Sequence, residues 1–134
     1  MKKTVLIVDD DAPIRQALRK LLQAEGYEVI LAADGQEGLE QFGSKHIDLL
    51  LLDLNLPGMN GLQMLEELRQ MKQPLSIPIV VMSTSNNPLD IAACYSFGAA
   101  GYILKPFKLE QYLEKIREIT HYWFNTVMLP EERY

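Results

Sequence analysis

Short apolar runs alternate with stretches of helical periodicity along the whole chain. The run Thr4–Val8, rich in β-branched residues, predicts a first strand. Ile14, Ala17, Leu18, Leu21 and Leu22 then form a helical stripe between Pro13 and Glu25; Pro13 suits a first turn, Asp11 can cap it, and Gly26 suits its end. Tyr27–Ala32 predicts a second strand, and Gly35–Phe42 a short helix stopped by Gly43. Ile47–Leu52, apolar throughout except for Asp48, predicts a central strand covered on both faces. Asn55-Leu56-Pro57-Gly58 is turn chemistry, and Leu62, Leu65 and Leu68 mark a helix from about Gly61 to Lys72. Ile77–Met82 predicts a fourth strand, and Asn87-Pro88 opens a helix that Gly98 stops. Ala100–Leu104 predicts a fifth strand, ended by Lys105-Pro106, and a last helix runs from about Leu109 into the 120s. Five β-α units in series imply an α/β fold, with a parallel sheet covered on both faces and right-handed crossovers.

In such a sheet all strands point one way, so their carboxyl ends share one edge, where ligands bind. Asp9 and Asp10 follow the first strand, Asp53 the third, Ser83 and Thr84 the fourth, and Lys105 the fifth. Three carboxylates gathered there repel unless a cation neutralises them. Oxygen ligands without His or Cys favour a hard ion, Mg²⁺ or alternatively Mn²⁺, over zinc. A cation, a hydroxyl, a metal and a carboxylate nucleophile are the parts needed to stabilise a phosphoryl group in transfer, and Asp53 is the best-placed acceptor. Asp11, also acidic, reads as a helix cap.

Composition narrows the function classes. The chain has 134 residues, enough for one domain with a substantial core. Its net charge is −5 and no Lys/Arg block occurs, which disfavours nucleic acid and anionic membrane as partners. Cys94 is the single cysteine, so no internal disulfide can form; it reads as a small buried hydrophobe, and a reducing cytoplasm fits. No apolar stretch reaches membrane-spanning length. His46 and His121 lack partners for a ligand cluster and read as surface histidines.

The segments VLIVDDD (Val5–Asp11), LLLLDLNLPGMNG (Leu49–Gly61), IVVMSTS (Ile79–Ser85) and GYILKPF (Gly101–Phe107) resemble the receiver domain of two-component response regulators. The spacings agree as well: Ser83 stands 30 positions after Asp53 (83 − 53), and Lys105 stands 22 after Ser83 (105 − 83). The resemblance implies a flavodoxin-like doubly wound (βα)5 domain with strand order 2-1-3-4-5, filling residues 1–134 without an output domain. It implies that Asp53 accepts a phosphoryl group from a histidine kinase or a His phosphotransfer protein. It places Mg²⁺ on Asp9, Asp10, Asp53 and the backbone carbonyl of Asn55. Ser83 and Lys105 would engage the phosphoryl oxygens, Thr84 would stand beside the phosphoryl pocket, and Tyr102 would be the switch aromatic. The Lys105–Pro106 peptide would be cis. The protein would then be a signalling component and not an enzyme with a substrate of its own.

Two competitors fit less well. A haloacid dehalogenase-type phosphatase expects a second acid two residues after its nucleophile, where Asn55 stands. A flavodoxin-like cofactor binder wants a phosphate-cradling loop after the first strand, where acids stand.

In the tail, Leu109, Leu113, Ile116, Ile119, Trp123 and Val127 recur at helical spacing, an expected sheet-packing face. Tyr112, Tyr122, Phe124 and Met128 lie partly around the cylinder from it. Trp123-Phe124 and Leu129-Pro130 are similar to the C-termini of small stand-alone regulators paired with phytochrome-type kinases. Two readings stand side by side: a homodimer using Tyr122, Trp123, Phe124, Val127 and Met128, or a longer helix folding back on its own domain.

Overall fold

The computed structural model describes residues 2–56, 58–71 and 77–128. Five parallel strands form one sheet: β1 (Thr4–Val8), β2 (Glu28–Ala32), β3 (Leu49–Asp53), β4 (Ile79–Ser83) and β5 (Gly101–Leu104). Their order is β2-β1-β3-β4-β5, as the resemblance implied. The connecting helices are α1 (Ala12–Ala24), α2 (Gly35–Ser44), α3 (Gly61–Gln70) and α4 (Pro88–Ser96); α5 (Leu109–His121) ends the series and continues into a π-helical turn, Tyr122–Thr126.

Alternation along the strands sorts side chains into two cores. Leu6, Val8, Leu50, Leu52 and Val81 meet Phe42 of α2, Met64 and Leu65 of α3, and Cys94 of α4. Val5, Ile7, Leu49, Leu51, Val80 and Met82 meet Leu18 and Leu22 of α1 and Tyr112 and Ile116 of α5. Each fully buried leucine of β3 contributes about 1.5–3 kcal/mol of transfer free energy. That anchors the strand whose last residue is Asp53.

The helix ends follow local chemistry. The Asp11 carboxylate accepts from the Ile14 N–H at 3.1 Å, confirming the cap. Asn60 and Gln63 form a reciprocal capping box, both hydrogen bonds 2.9 Å, at the start of α3. Gly26 and Gly98, at φ 92° and 96°, take the left-handed conformation after α1 and α4.

Two expectations need correction. Gly43 does not stop α2, which runs through to Ser44. A helical glycine costs only about 1 kcal/mol relative to alanine, and here its bare face admits Met71, whose Cε would lie 3.1 Å from a Cβ at position 43. On α5 the deepest stripe is Tyr112, Ile116 and Thr120, while Leu109 is exposed. Leu113, Ile119 and Trp123 flank the stripe, half-buried. Burial of the polar members is possible because the Thr120 hydroxyl bonds the Ile116 and Arg117 carbonyls at 3.1 and 3.0 Å. The Tyr112 hydroxyl meets Met82 Sδ at 2.8 Å.

Gly61 closes the loop that leaves the sheet edge: its N–H donates to the Leu54 carbonyl at 2.8 Å. A Cβ there would stand 2.6 Å from Leu54 Cα, a backbone atom. Gly61→Ala is therefore expected to destabilise the fold by about 1–3 kcal/mol, read as a lower urea midpoint. An unchanged midpoint would mean that this loop yields freely.

Candidate functional site

The carboxyl ends of the strands carry the chemistry. Asp9, just past β1, is fully buried, Asp53 closes β3 at 4 % exposure, Ser83 closes β4 fully buried, and Lys105 follows β5. Asp10 and Thr84 are exposed at the rim. Lys105 Nζ lies 3.0 Å from Asp53 Oδ2 and 3.5 Å from Asp9 Oδ2. One carboxylate oxygen from each of Asp9, Asp10 and Asp53 lies within 4.8 Å of the others.

Hydrogen bonds fix the outer atoms of this cluster. Asp9 Oδ1 accepts from the Asp11 N–H at 2.9 Å, and Asp53 Oδ1 from the Asn55 N–H at 3.0 Å. Arg15 on α1 reaches back to the Asp9 carbonyl at 2.7 Å. Asp9 Oδ2, by contrast, is buried without a hydrogen bond and has only the Lys105 ammonium, at 3.5 Å, to offset its charge. That compensation is partial, because the same ammonium lies closer to Asp53, at 3.0 Å. Facing two further carboxylates, Asp9 Oδ2 is a fit for a hard divalent cation with oxygen ligands.

Burial pushes the Asp9 carboxyl above its ordinary value; the Asp11 N–H and the Lys105 charge pull against this, and the Asp53 charge adds to it. For Lys105, burial favours the neutral amine, but the facing Asp53 and Asp9 charges outweigh it, so its pKa is raised and the ammonium form is secured. Tyr112 lies beneath the cluster with its ring centroid 5.7 Å from Lys105 Nζ. Burial, then the Asp9 and Asp53 charges, push its phenol up, so the ring stays neutral.

The loop after β4 is tied in a chain. Ser83 Oγ accepts from the Ser85 N–H at 3.0 Å, and the Tyr102 hydroxyl donates to the Ser85 carbonyl at 2.7 Å. The Ser85 hydroxyl donates to Asp90 on α4 at 2.6 Å. The switch-position pair, Ser83 and Tyr102, therefore shares Ser85 as a common anchor.

The structure thus gathers Asp9, Asp10, Asp53 and Lys105 at one edge, with Ser83 and Tyr102 linked beside them. Against expectation, the Lys105–Pro106 peptide is trans, as are all peptides of the described residues. The ladder itself aims the lysine, because the Lys105 N–H donates to the Ser83 carbonyl at 2.7 Å and extends the β4–β5 pairing past Leu104. Arg15 carries no motif that marks it in the sequence, and Tyr112, expected partly around the cylinder from the sheet-packing face, lies instead in the buried stripe of α5. A tyrosine at core spacing seven residues beyond Lys105 was the available signal.

His46 is exposed and meets Asp48 at 2.9 Å, and His121 is exposed, as expected. In the tail, Phe124 packs on Tyr27 with ring centroids 5.1 Å apart, and Trp123 stands edge-on to Tyr122 at 5.2 Å. Trp123 and Phe124 thus serve their own domain in part, Val127 is half-buried, and Tyr122 and Met128 are exposed. Leu129 and Pro130 lie outside the described residues.

The response regulator receiver domain family matches residues 5–117. The response regulator ArlR of Staphylococcus aureus is 38% identical over 115 residues, 86% of this chain and 51% of ArlR. The chain therefore spans about half the length of the curated relatives it matches. Among solved structures, the Mn²⁺-bound response regulator Rcp1 is 32% identical with a TM-score of 0.84, over 96% of this chain and 99% of Rcp1. The phosphorylated cyanobacterial phytochrome response regulator RcpA is 31% identical with a TM-score of 0.88, over 98% of this chain and 100% of RcpA. RPA3017, a response regulator in red light signalling of R. palustris, is 27% identical with a TM-score of 0.80, over 97% and 99% of the two chains.

Proposed function

This chain belongs to the response regulator receiver family, and from that premise we propose that Asp53 accepts a phosphoryl group from a phosphohistidine and thereby switches a protein contact. The observation that carries the reading is the pairing of the Asp53 carboxylate with Lys105 Nζ at 3.0 Å, at an edge shared with Asp9 and Asp10. A carboxylate oxygen of Asp53 forms the new O–P bond as the donor's N–P bond breaks, and the imidazole leaves. Lys105 then turns from the carboxylate to the phosphoryl oxygens, a charge-assisted contact made without large movement. Ser83 carries a free hydroxyl proton, since its oxygen accepts from Ser85, and donates that proton's hydrogen bond to the phosphoryl group.

Mg²⁺, or Mn²⁺ in its place, would be held by Asp9, Asp10, Asp53 and the Asn55 carbonyl, and when bound it neutralises charge developing on the phosphoryl oxygens. The Asp9 oxygen without a hydrogen bond supports this ligand set. As Ser83 releases the Ser85 N–H, the shared anchor of Tyr102 loosens and its ring can turn inward. This biases two states of the β4–α4 loop and the surface beside it. Thr84, at the rim, limits approach to the pocket.

The donor we propose is a histidine kinase of the phytochrome type, or a His phosphotransfer protein, acting in the cytoplasm. The likeness to RcpA over nearly the whole chain supports the phytochrome pairing. We further propose a homodimer seated on the C-terminal turn, with Tyr122 and Met128 as its exposed contacts. Tyr122→Glu in sedimentation velocity reads this: a dimer that persists in the variant places the interface elsewhere. The phosphoryl reading is tested by incubating the protein with acetyl phosphate and Mg²⁺. Acid-labile, base-labile label should accumulate and should vanish with excess chelator. Label that survives chelation would remove the metal from the scheme.

A further inference from the structure

We infer that Tyr112 is a positioning residue for Lys105, its buried ring holding the ammonium where it reaches Asp53. The inference rests on the phosphoryl-acceptor reading for its consequence, not for its geometry. Lysine is a point charge on a flexible four-carbon stem, so a single carboxylate partner leaves its direction loosely defined. Here the carboxylates of Asp53 and Asp9 draw Nζ, at 3.0 and 3.5 Å. Nζ also lies over the Tyr112 ring, 5.7 Å from its centroid and within cation–π range.

The ring is itself held firmly. Tyr112 is 2 % exposed on the first turn of α5, and its hydroxyl lies 2.8 Å from Met82 Sδ. Met82 pairs in register with Asp53 and directly precedes Ser83. Tyr112 therefore touches the lysine and the strand that presents Ser83, from beneath the site. A cation–π contact strengthens when water is excluded. The same contact joins the edge of the sheet to α5, so a Lys105 that swings toward a phosphoryl group changes what α5 packs against.

The test uses the full chain and two variants. Tyr112→Phe keeps the ring and loses the hydroxyl; Tyr112→Leu fills the core without a ring. Without donor or metal, the Lys105 ε-methylene proton signals of the wild type should lie upfield, shifted by the ring current. They should stay there in the Phe variant and return to the ordinary lysine position in the Leu variant. Phosphorylation by acetyl phosphate should slow about threefold to tenfold in the Leu variant, the rate equivalent of one partly buried cation–π contact, and stay within about twofold of wild type in the Phe variant. The ring current leaves with the ring, so the role is read from the mobility of Lys105: the NMR order parameter at Nζ should fall in the folded Leu variant and hold in the Phe variant, whereas a merely structural role for Tyr112 would leave it at the wild-type value in both. Unshifted Lys105 signals in the wild type would overturn the inference, and so would a folded Leu variant with wild-type rate. If the Leu variant does not fold, the wild-type and Phe signals decide. A wild type that shows the shift but takes no phosphoryl group would sink the acceptor reading and leave the positioning contact standing.

Discussion

Replacing Asp53 by Asn is expected to abolish acyl phosphate formation while the protein stays folded. The amide is nearly isosteric with the carboxylate it replaces; its single oxygen can still accept from the Asn55 N–H now at 3.0 Å, while its N–H₂ group replaces the oxygen that Lys105 now meets. What disappears is the nucleophile, and with it one of the three charges that gather at the edge. Lys105 keeps Asp9 at 3.5 Å as a countercharge, so the substitution does not strand a buried cation. Loss of label should therefore be complete, with a circular dichroism spectrum and urea midpoint close to wild type. Residual label at a wild-type rate in Asp53→Asn would place the acceptor elsewhere.

The second large effect is expected at Asp10. Its carboxylate is exposed, unlike those of Asp9 and Asp53, so its removal costs the fold little. For a divalent cation at contact distance, however, one lost charge near the surface is worth about 1–4 kcal/mol. Asp10→Asn should weaken Mg²⁺ binding roughly tenfold to hundredfold by calorimetry, and phosphorylation at ordinary Mg²⁺ should fall with it. Relief of repulsion among the carboxylates should leave the metal-free variant at least as stable as wild type. Unchanged Mg²⁺ affinity would exclude Asp10 from the ligand set. The raised pKa of Asp9 adds a sign to this test. A cation needs the ionised carboxylate, so binding is full above that pKa and is lost as pH falls through it, sooner than an exposed aspartate would require.

Much of this was legible in the residues. The unbroken Leu49–Leu52 run is a central strand because both faces of a parallel sheet are covered, and the strand order follows the resemblance. The polar residues that end the strands were found because a parallel sheet brings them together whatever their distance in sequence. Other features depend on tertiary context. Gly43 remains helical because Met71 lies against it, a contact no local propensity reveals. The rotation of α5 that buries Tyr112 and Thr120 is set by partners on other elements and by backbone carbonyls that satisfy the hydroxyl. The trans peptide before Pro106 goes with a β4–β5 ladder that extends to Lys105. Phe124 was expected to flank the tail's inner face, and it finds Tyr27 across the end of α1.

The central claim is that Asp53 carries the phosphoryl group. The most direct measurement is mass-spectrometric mapping of the wild-type protein after acetyl phosphate and Mg²⁺, with the acyl phosphate trapped by borohydride. The predicted result is one modified residue, Asp53, absent from samples treated with chelator. Modification at Asp9 or Asp10, or at a histidine with Asp53 untouched, would contradict it.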